Sequence, residues 1–449
     1  MIEFKVETDL KEYDKFINER KGSFIQCSRW PEIKVVWKPY FFCGFRDGER
    51  VLACLVLERS LSLCGRIWYI PDGPVTDYSD GEIITEFTKF IQAELKKHKI
   101  TALITDPHIP LSINGEYTEE GLALHKKLID AGYTLNHDTE KYIYKSPIQY
   151  MIPLKKEDGS MFTAKELLKK CEKGVRYSVR IGENRGLVSR RVSIAEVEKE
   201  PQLLDDFATV MRSTSERDSF IEKKPDYIKK MMSVFSDCMD LTLVYYDKNA
   251  DKKFEDERQK QYEANLKKIE ETTREAVQNR LRNENETIIQ QSNNYKIRLE
   301  KAAEFSSEDK FVVAGGLTIR YGGVASCLFG GSINVLRNET RPSHFVNYLR
   351  LCQSLDAECD YHDLGYVLVN NLNIPEDKTQ PLGELTPFEN FEGINSFKAS
   401  LGANLYEFVG EYVLINNKLR YNMYDRLIPM VKDIKIKILK ALRKQKSDK

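Results

Sequence analysis

The stretch DGEIITEFTKFIQAELKKHKITALITDP, residues 80–107, decides the fold class. Residues 80–99 place apolar side chains at helical spacing, and ITALITDP (100–107) then reads as a buried strand closing on Asp-Pro. Just upstream, RIWYI runs into YIPDGPVTDY (69–78), where Pro-Asp-Gly-Pro makes a rigid turn. Earlier still, WKPYFFCGFRDGERVLACLVLE (37–58) sets Asp-Gly between two apolar runs, which predicts a hairpin. Strands, then a helix, then another strand predict a mixed α/β (α+β) domain.

The same order returns downstream. FVVAGGLTIRYGGVASCLFGGS (311–332) reads as a hairpin, RPSHFVNYLRLCQSLDAE (341–358) as an amphipathic helix, and CDYHDLGYV (359–367) as a strand ending at Asp-Leu-Gly. Both strands follow a helix and both finish on an acid beside Pro or Gly. The chain is therefore read as two diverged copies of one αβ unit. Residues 158–191 read as a cation-rich helical stretch ending near a glycine, and a second α/β pattern runs from about 192 to 246, resuming at 311.

A chain of 449 residues has room for two or three cores. Its 69 Lys+Arg balance 69 Asp+Glu, which argues against wholesale coating of nucleic acid but leaves local basic patches open. There is no apolar run long enough to span a bilayer, and MIEFKVETDL alternates without the charged-then-apolar order of a signal sequence. A soluble, cytoplasmic protein is expected. The nine cysteines never approach CxxC spacing and several lie in apolar strands, so free buried thiols are expected. The six histidines are scattered, and neither a metal site nor a Cys–His nucleophile pair is expected.

Residues 248–304 contain no Pro or Gly and alternate charges of both signs. Tyr262, Leu266, Ile269, Val277, Leu281, Ile288, Tyr295 and Leu299 form a sparse apolar seam at helical spacing, which predicts an inserted antiparallel helical coiled-coil arm. The Asn-rich QNRLRNENE (278–286) offers a turn, although the segment's midpoint lies slightly earlier. Periodicity alone makes the arm a spacer or a dimerisation element. The tail KDIKIKILKALRKQKSDK (432–449), with eight cations and two acids, reads either as frayed or as a basic amphipathic helix for peripheral contact with anionic lipid.

Six short motifs, in order along nearly the whole chain, then carry a resemblance. QCSRWPEIK (26–34), YIPDGPVTDY, KGVRYSVRIGENRGLVSRR (173–191), RDSFIEKKPDYIKKM (217–231), LFGGS (328–332) and INSFKASLGANLYEFVGEY (394–412) resemble segments of the FemABX peptidoglycan peptidyltransferases. The resemblance implies two tandem acetyltransferase-like (GNAT) domains. Domain one would cover 1–147 plus about 411–430 and domain two 148–246 plus 306–410, with the arm at 247–305 and the tail at 431–449. It also implies transfer of an amino acid from aminoacyl-tRNA to the amine of the third stem-peptide residue of a peptidoglycan precursor, either UDP-MurNAc-pentapeptide or lipid II. An aminoacyl ester is already activated and the amine is itself the nucleophile, so positioning and charge stabilisation suffice. No cofactor is implied beyond the co-substrate aminoacyl-tRNA.

Site roles follow from the same resemblance. Lys398 matches the lysine near the reacting ester and Phe397 a wall of that pocket. Lys34, with Lys38 four residues on, matches a contact to the precursor diphosphate. Asp106 matches a strand-end acid lining the precursor cleft, and Lys223 with Tyr227 matches an Arg-x-x-x-Tyr phosphate-holding pair. Lys223 stands where an arginine is expected, so bidentate phosphate recognition is lost. Arg176, Arg180, Arg185 and Arg190 are candidates for tRNA phosphate, with a solvated helix face as the alternative. Asp72 replaces an arginine in the rigid loop, and Ser-Leu-Gly-Ala replaces Phe-Gly-Gly after the Phe-Lys pair. Two other classes stay open: an acyl-CoA-dependent acyltransferase, for which no pyrophosphate-cradling Gly-x-Gly turn is found, and a non-catalytic binding protein using the arm.

Overall fold

The computed structural model describes residues 1–61, 64–136, 146–218, 220–367, 369–371, 385–387 and 392–427. Two large sheets organise them. The first runs, in spatial order, Ile2–Val6, Lys38–Arg46, Glu49–Leu61, Gly65–Pro71, Ala102–Asp106, Tyr412–Ile415 and Thr134–Leu135, with Val75–Thr76 beside Glu49–Leu61. The second runs Leu187–Val192, Met239–Asp247, Lys310–Tyr321, Val324–Ser332, Tyr361–Tyr366, Ile148–Pro153, Asn404–Phe408, Pro110–Ile113 and Glu116–Tyr117.

The expected duplication is present in the hydrogen bonding. Asp47 (φ 51°) and Gly48 (φ 85°) both take positive φ, the two-residue turn that suits right-twisted strands, and they join Lys38–Arg46 to Glu49–Leu61. After the strand Gly65–Pro71, the helix Gly81–Lys97 starts on Asp80, whose carboxylate accepts from the Glu82 N–H. It buries Ile83, Ile84, Phe87, Ile91 and Leu95 and delivers the chain to Ala102–Asp106. That strand lies parallel to Gly65–Pro71, with Pro71 opposite Asp106. In the second sheet the helix Pro342–Asp356 delivers Tyr361–Tyr366 parallel to Val324–Ser332, with Ser326 opposite Asp363. Each unit thus contains one parallel pair joined by a crossover that includes a helix, and each ends that pairing on an acid.

Two segments cross between the sheets. Pro110–Ile113 leaves the first half of the chain to pair with Asn404–Phe408 in the second sheet, and Glu116–Tyr117 pairs with Pro110–Ile113 at that sheet's edge. The chain then returns, and Tyr412–Ile415 pairs with Ala102–Asp106 in the first sheet. The largest apolar cluster likewise mixes the units, packing Tyr13, Phe24, Trp30 and Leu55 with Leu243, Val313 and Phe345.

The helical reading of 158–191 needs correction. Helices Ala164–Lys170 and Lys173–Glu183 are separated by Cys171 in extended backbone (φ −65°, ψ 155°), and Leu187–Val192 is an edge strand. Gly186 makes the turn between helix and strand: it takes φ 69°, and a Cβ there would meet the Asp251 side chain at 2.6 Å.

Residues 248–304 form two helices, Lys248–Glu271 and Glu275–Phe305, inserted where Asp247 pairs with Lys310. The turn is 272–274, not the Asn-rich 278–286, which is helical. The contact between the helices is also more polar than the expected seam. Leu281 and Ile288 are buried, but Leu266 is 42% exposed, while Asn265 donates to Asn285 (3.0 Å) and Gln259 to Ser292 (3.0 Å). At the base, Arg298 grips Asp251 with two hydrogen bonds (2.7 and 2.8 Å), and the Tyr246 hydroxyl donates to the same carboxylate at 2.7 Å. These partners advance toward the turn from both ends, so the helices are antiparallel. An asparagine pair across a helix contact fixes register because a slip would bury its amides unpaired.

All nine cysteines are free thiols, six of them buried. Among the described residues no helix is long and apolar enough to cross a membrane, and no three His, Cys, Asp or Glu side chains form a metal-holding group. The tail 432–449 lies outside the described residues.

Candidate active site

A cavity of about 890 Å³ opens where the two units meet. The segment Lys21–Ile25, Asp72 and His108 form its wall on the first unit, and Ser326, Cys327, Asp363, Phe397, Lys398 and Arg350 line it from the second.

Lys398 sits in the last turn of the helix Glu392–Ser400. Its Nζ donates to the carbonyl oxygens of Gly365 (3.1 Å) and Tyr366 (2.8 Å) at the end of the second unit's parallel strand. Burial pulls its pKa down to about 8, against the opposing pull of Asp363 and Cys327. It is therefore a cation at neutral pH that can lose its proton cheaply. Phe397 is beside it on the cavity wall, edge-on to His344 at 4.9 Å. Burial and the charges of Arg341 and Arg337 lower the His344 pKa to about 4, keeping that ring neutral.

The rigid loop forms the opposite wall. Asp106 accepts from the Tyr69 hydroxyl (2.8 Å) and from the Asp72 N–H (2.8 Å), and Thr105 donates to the Gly73 carbonyl at 2.8 Å. The Gln26 amide donates to the Pro71 carbonyl and accepts from the Leu55 N–H (2.8 Å), and the Tyr78 hydroxyl donates to the Pro74 carbonyl. Gly73 precedes a cis proline and leaves no room for a Cβ, which would meet the Gln26 amide at 2.7 Å. Tyr69 and Tyr78 thus brace the loop through their hydroxyls as well as packing. What the loop presents to the cavity is Asp72, in positive-φ backbone, whose Oδ2 accepts from Ser23 at 2.8 Å.

The expected site residues separate into distinct places. Lys398 and Phe397 share the cavity. Asp106 is buried behind the wall as the anchor of the loop, with its carboxyl pushed well above the usual range by desolvation. Lys34 and Lys223 approach each other across the units, where the helix Trp30–Ile33 packs on Pro225–Val234. The Lys34 ammonium lies 4.9 Å from the Trp30 ring, and burial together with the Lys223 charge lowers its pKa. Lys223 stands 5.3 Å from the ring of half-buried Tyr227. Trp30 is edge-on to Phe24 at 5.4 Å, and Phe24 is itself a cavity wall, so these two rings stand between Lys34 and the cavity, whose lining includes neither lysine. Lys38 stands apart, fully exposed, over Tyr40 on the first sheet.

The four arginines also divide. Arg185 donates to the Glu339 carbonyl at 2.5 Å, and Arg190 is paired with Glu196 (3.1 Å) and Glu200 (2.8 Å), so both hold the fold. Arg176 and Arg180 remain on the exposed face of the helix Lys173–Glu183, although Arg176 also donates to the Lys169 carbonyl at 3.2 Å.

Sequence reasoning assigned no role to Asp363, His108, Arg217 or Arg337, all of which line the cavity. Arg217 donates to the Ser332 carbonyl (2.9 Å) and pairs with Asp218 (3.0 Å). For Asp363 a signal existed, the acid near Gly in CDYHDLGYV that parallels the acid before Pro in ITALITDP, although the strand runs past it to Tyr366. Nothing in the spacing of the others marks them.

A half-buried ammonium in a cavity between the units stabilises negative charge developing on an oxygen. Contrary to the expectation from the scattered spacing, a Cys–His contact stands on the same wall: the Cys327 thiol lies 3.5 Å from His362 Nε2, with burial raising the thiol and lowering the imidazole to about 3, which disfavours the ion pair an activated thiolate needs. Comparison with known proteins identifies the family. The model of the FemAB family matches residues 8–428. A Staphylococcus aureus protein named lipid II:glycine glycyltransferase is 25% identical over 448 residues, covering 97% of this chain and 98% of its own length. The crystal structure of FemX superposes with a TM-score of 0.73 at 21% identity, over 94% of this chain and 100% of that one. The fold is thus shared with FemX: two mixed sheets, each carrying one parallel strand pair, as the repeated helix–strand order implies.

Proposed function

The chain belongs to the FemAB family, and from that premise we propose that it is an aminoacyltransferase of peptidoglycan bridge synthesis. It carries an amino acid from aminoacyl-tRNA to the amine of the third stem-peptide residue of a peptidoglycan precursor. The observation that carries this reading is Lys398: an ammonium held by two carbonyls on the floor of an inter-unit cavity, poised near pH 8. There it stabilises the tetrahedral oxyanion and protonates the departing ribose oxygen. Phe397 excludes water from an ester prone to hydrolysis.

Lys34, Lys223 and Tyr227 serve the precursor diphosphate. Two mutually repelling lysines bind a dianion more tightly than one, because the ligand relieves their repulsion as well as pairing with each. Lys223 supplies a point charge where an arginine would supply a fork, which suits a diphosphate that can rotate. Arg176 and Arg180, exposed on one helix, meet tRNA phosphate. The staphylococcal relative is named for lipid II, and we take the lipid-linked form as the acceptor, reached by peripheral contact at the inner face of the plasma membrane.

The test offers purified protein a pool of tRNA charged with radiolabelled Ala, Ser or Gly, with nucleotide-linked and lipid-linked precursors supplied separately. Label on either precursor establishes the reaction and identifies both the amino acid and the acceptor. No transfer in any combination by folded protein refutes it.

A further inference from the structure

The pseudo-repeat places an acid at the last position of each unit's parallel pairing, and the two have different surroundings. Asp106 is spent on the loop. Asp363 lines the cavity, and its Oδ1 accepts from the Gly365 N–H at 2.7 Å. The same Gly365 offers its carbonyl to Lys398 at 3.1 Å, so one irregular stretch of the strand Tyr361–Tyr366, where the pairing with Ile148–Pro153 shifts register, carries the acid and anchors the ammonium. Two other acids line the cavity among the described residues: Asp218 is paired with Arg217, and Asp72 accepts from Ser23 within the braced loop.

We propose that Asp363 is a catalytic residue, the proton acceptor that converts the precursor's ammonium into the attacking amine. The inference rests on the function proposed above and deepens it, since that reading leaves the amine's proton without a destination. Atoms balance as follows. The ammonium gives one proton to the Asp363 carboxylate. The freed lone pair forms the C–N bond at the ester carbon, and the carbonyl electrons move to oxygen beside Lys398. Collapse breaks the bond to the ribose oxygen, which takes a proton from Lys398. The Lys398 amine then recovers a proton from the new amide nitrogen. The proton left on Asp363 passes to water and is the one that the overall reaction releases.

The surroundings suit that task. The titratable or charged groups that face Asp363 are His108 from the first unit, Arg350 from the helix Pro342–Asp356, Cys327 from the neighbouring strand, Tyr366 from its own strand, and Lys398. Loss of solvent raises the carboxyl above its usual range, against the opposing pull of the Gly365 N–H, His108 and Lys398. A carboxylate made more basic is a better match for an amine's proton. Burial keeps the His108 ring, stacked on Phe408 at 4.0 Å, short of its proton, and Asp363 opposes that loss.

The test is Asp363→Asn in the full-length protein, because asparagine retains an oxygen to hold the Gly365 N–H and so preserves the seat of Lys398. Transfer from charged tRNA to lipid II is followed across pH in single-turnover mode, with Asp363→Glu alongside. We expect Asp363→Asn to be slower by 100-fold or more at pH 7. The deficit shrinks as pH rises, because the amine then deprotonates unaided, while KM for lipid II is unchanged. Asp363→Glu, which keeps a carboxylate, recovers part of the rate. Activity of Asp363→Asn within about 3-fold of the parent at every pH overturns the assignment. So does a deficit that stays constant with pH, or Asp363→Glu no better than Asp363→Asn, either of which marks a structural role. A parent protein that transfers nothing from any charged tRNA refutes the proposed function itself, and this inference with it.

Discussion

Replacing Lys398 by methionine separates a functional lysine from a structural one, because the two roles move stability in opposite directions. The side chain holds its proton with a pKa of about 8 in the folded protein against 10.5 for an ordinary lysine. At about 1.4 kcal/mol per unit, keeping it charged in the cavity costs the folded state roughly 3 kcal/mol at neutral pH. The sign follows from proton uptake. Between pH 8 and 10.5 the unfolded lysine binds more protons than the folded one, so the parent grows more stable as pH rises through that window. Lys398→Met has no such slope. At pH 7 the variant should therefore be as stable as the parent or more so, by up to about 3 kcal/mol after allowing for two bared carbonyls, and the advantage should vanish by about pH 10. Transfer should fall by about 10²–10³-fold, the usual cost of removing one donor to a developing oxyanion, with little change in KM for the precursor. Urea unfolding at several pH values and the charged-tRNA assay read the two effects on one preparation. A variant that is less stable at pH 7 and turns over near normally refutes the reasoning, and makes Lys398 a clamp between the helix Glu392–Ser400 and the Gly365 turn.

Asp106→Ala should lower stability by about 2–4 kcal/mol by stranding the Tyr69 hydroxyl and Asp72 N–H, and a thermal midpoint within a degree of the parent would refute its role as the loop's anchor. Because burial raises the Asp106 carboxyl, the parent should lose stability as pH climbs from the ordinary carboxylate range toward the raised value, a slope that Asp106→Asn removes. Arg298→Met leaves Asp251 charged and buried and should cost about 3–5 kcal/mol, with part of the loss recovered in the Asp251→Asn, Arg298→Met double variant; a single-variant cost under about 1 kcal/mol in guanidinium unfolding would contradict the pair's role. Lys34→Met should raise KM for the precursor about 10-fold with kcat nearly unchanged, whereas a loss confined to kcat would remove Lys34 from precursor binding.

Much of the site's chemistry was legible, but its assembly was not. The Phe-Lys pair pointed to Lys398, which lines the cavity, and the QCSRWPEIK and EKKPDYIKK segments pointed to Lys34 and Lys223, which the fold brings near each other outside that lining. Asp106 and Asp363 close equivalent parallel pairings, and only the packing shows that the first holds Tyr69 and Asp72 while the second lines the cavity. Arg185 and Arg190 looked like free cations because their partners, the Glu339 carbonyl and the Glu196 and Glu200 carboxylates, are assigned only by the fold.

The sequence by itself determined the Asp47–Gly48 hairpin, the helices Gly81–Lys97 and Pro342–Asp356, and the repeated helix–strand order, since each rests on periodicity or turn chemistry within a few residues. Tertiary structure decided what depends on distant partners. Asn404–Phe408 joins Pro110–Ile113 across almost 300 residues, with Ser112 donating to Glu407 at 2.9 Å. The arm turns at 272–274, and its register rests on Asn265–Asn285 and Asp251–Arg298, pairs that an apolar pattern does not contain. The cavity belongs to the same class. Its walls come from both units, and no local rule of spacing says which side chains will face one another once two sheets pack.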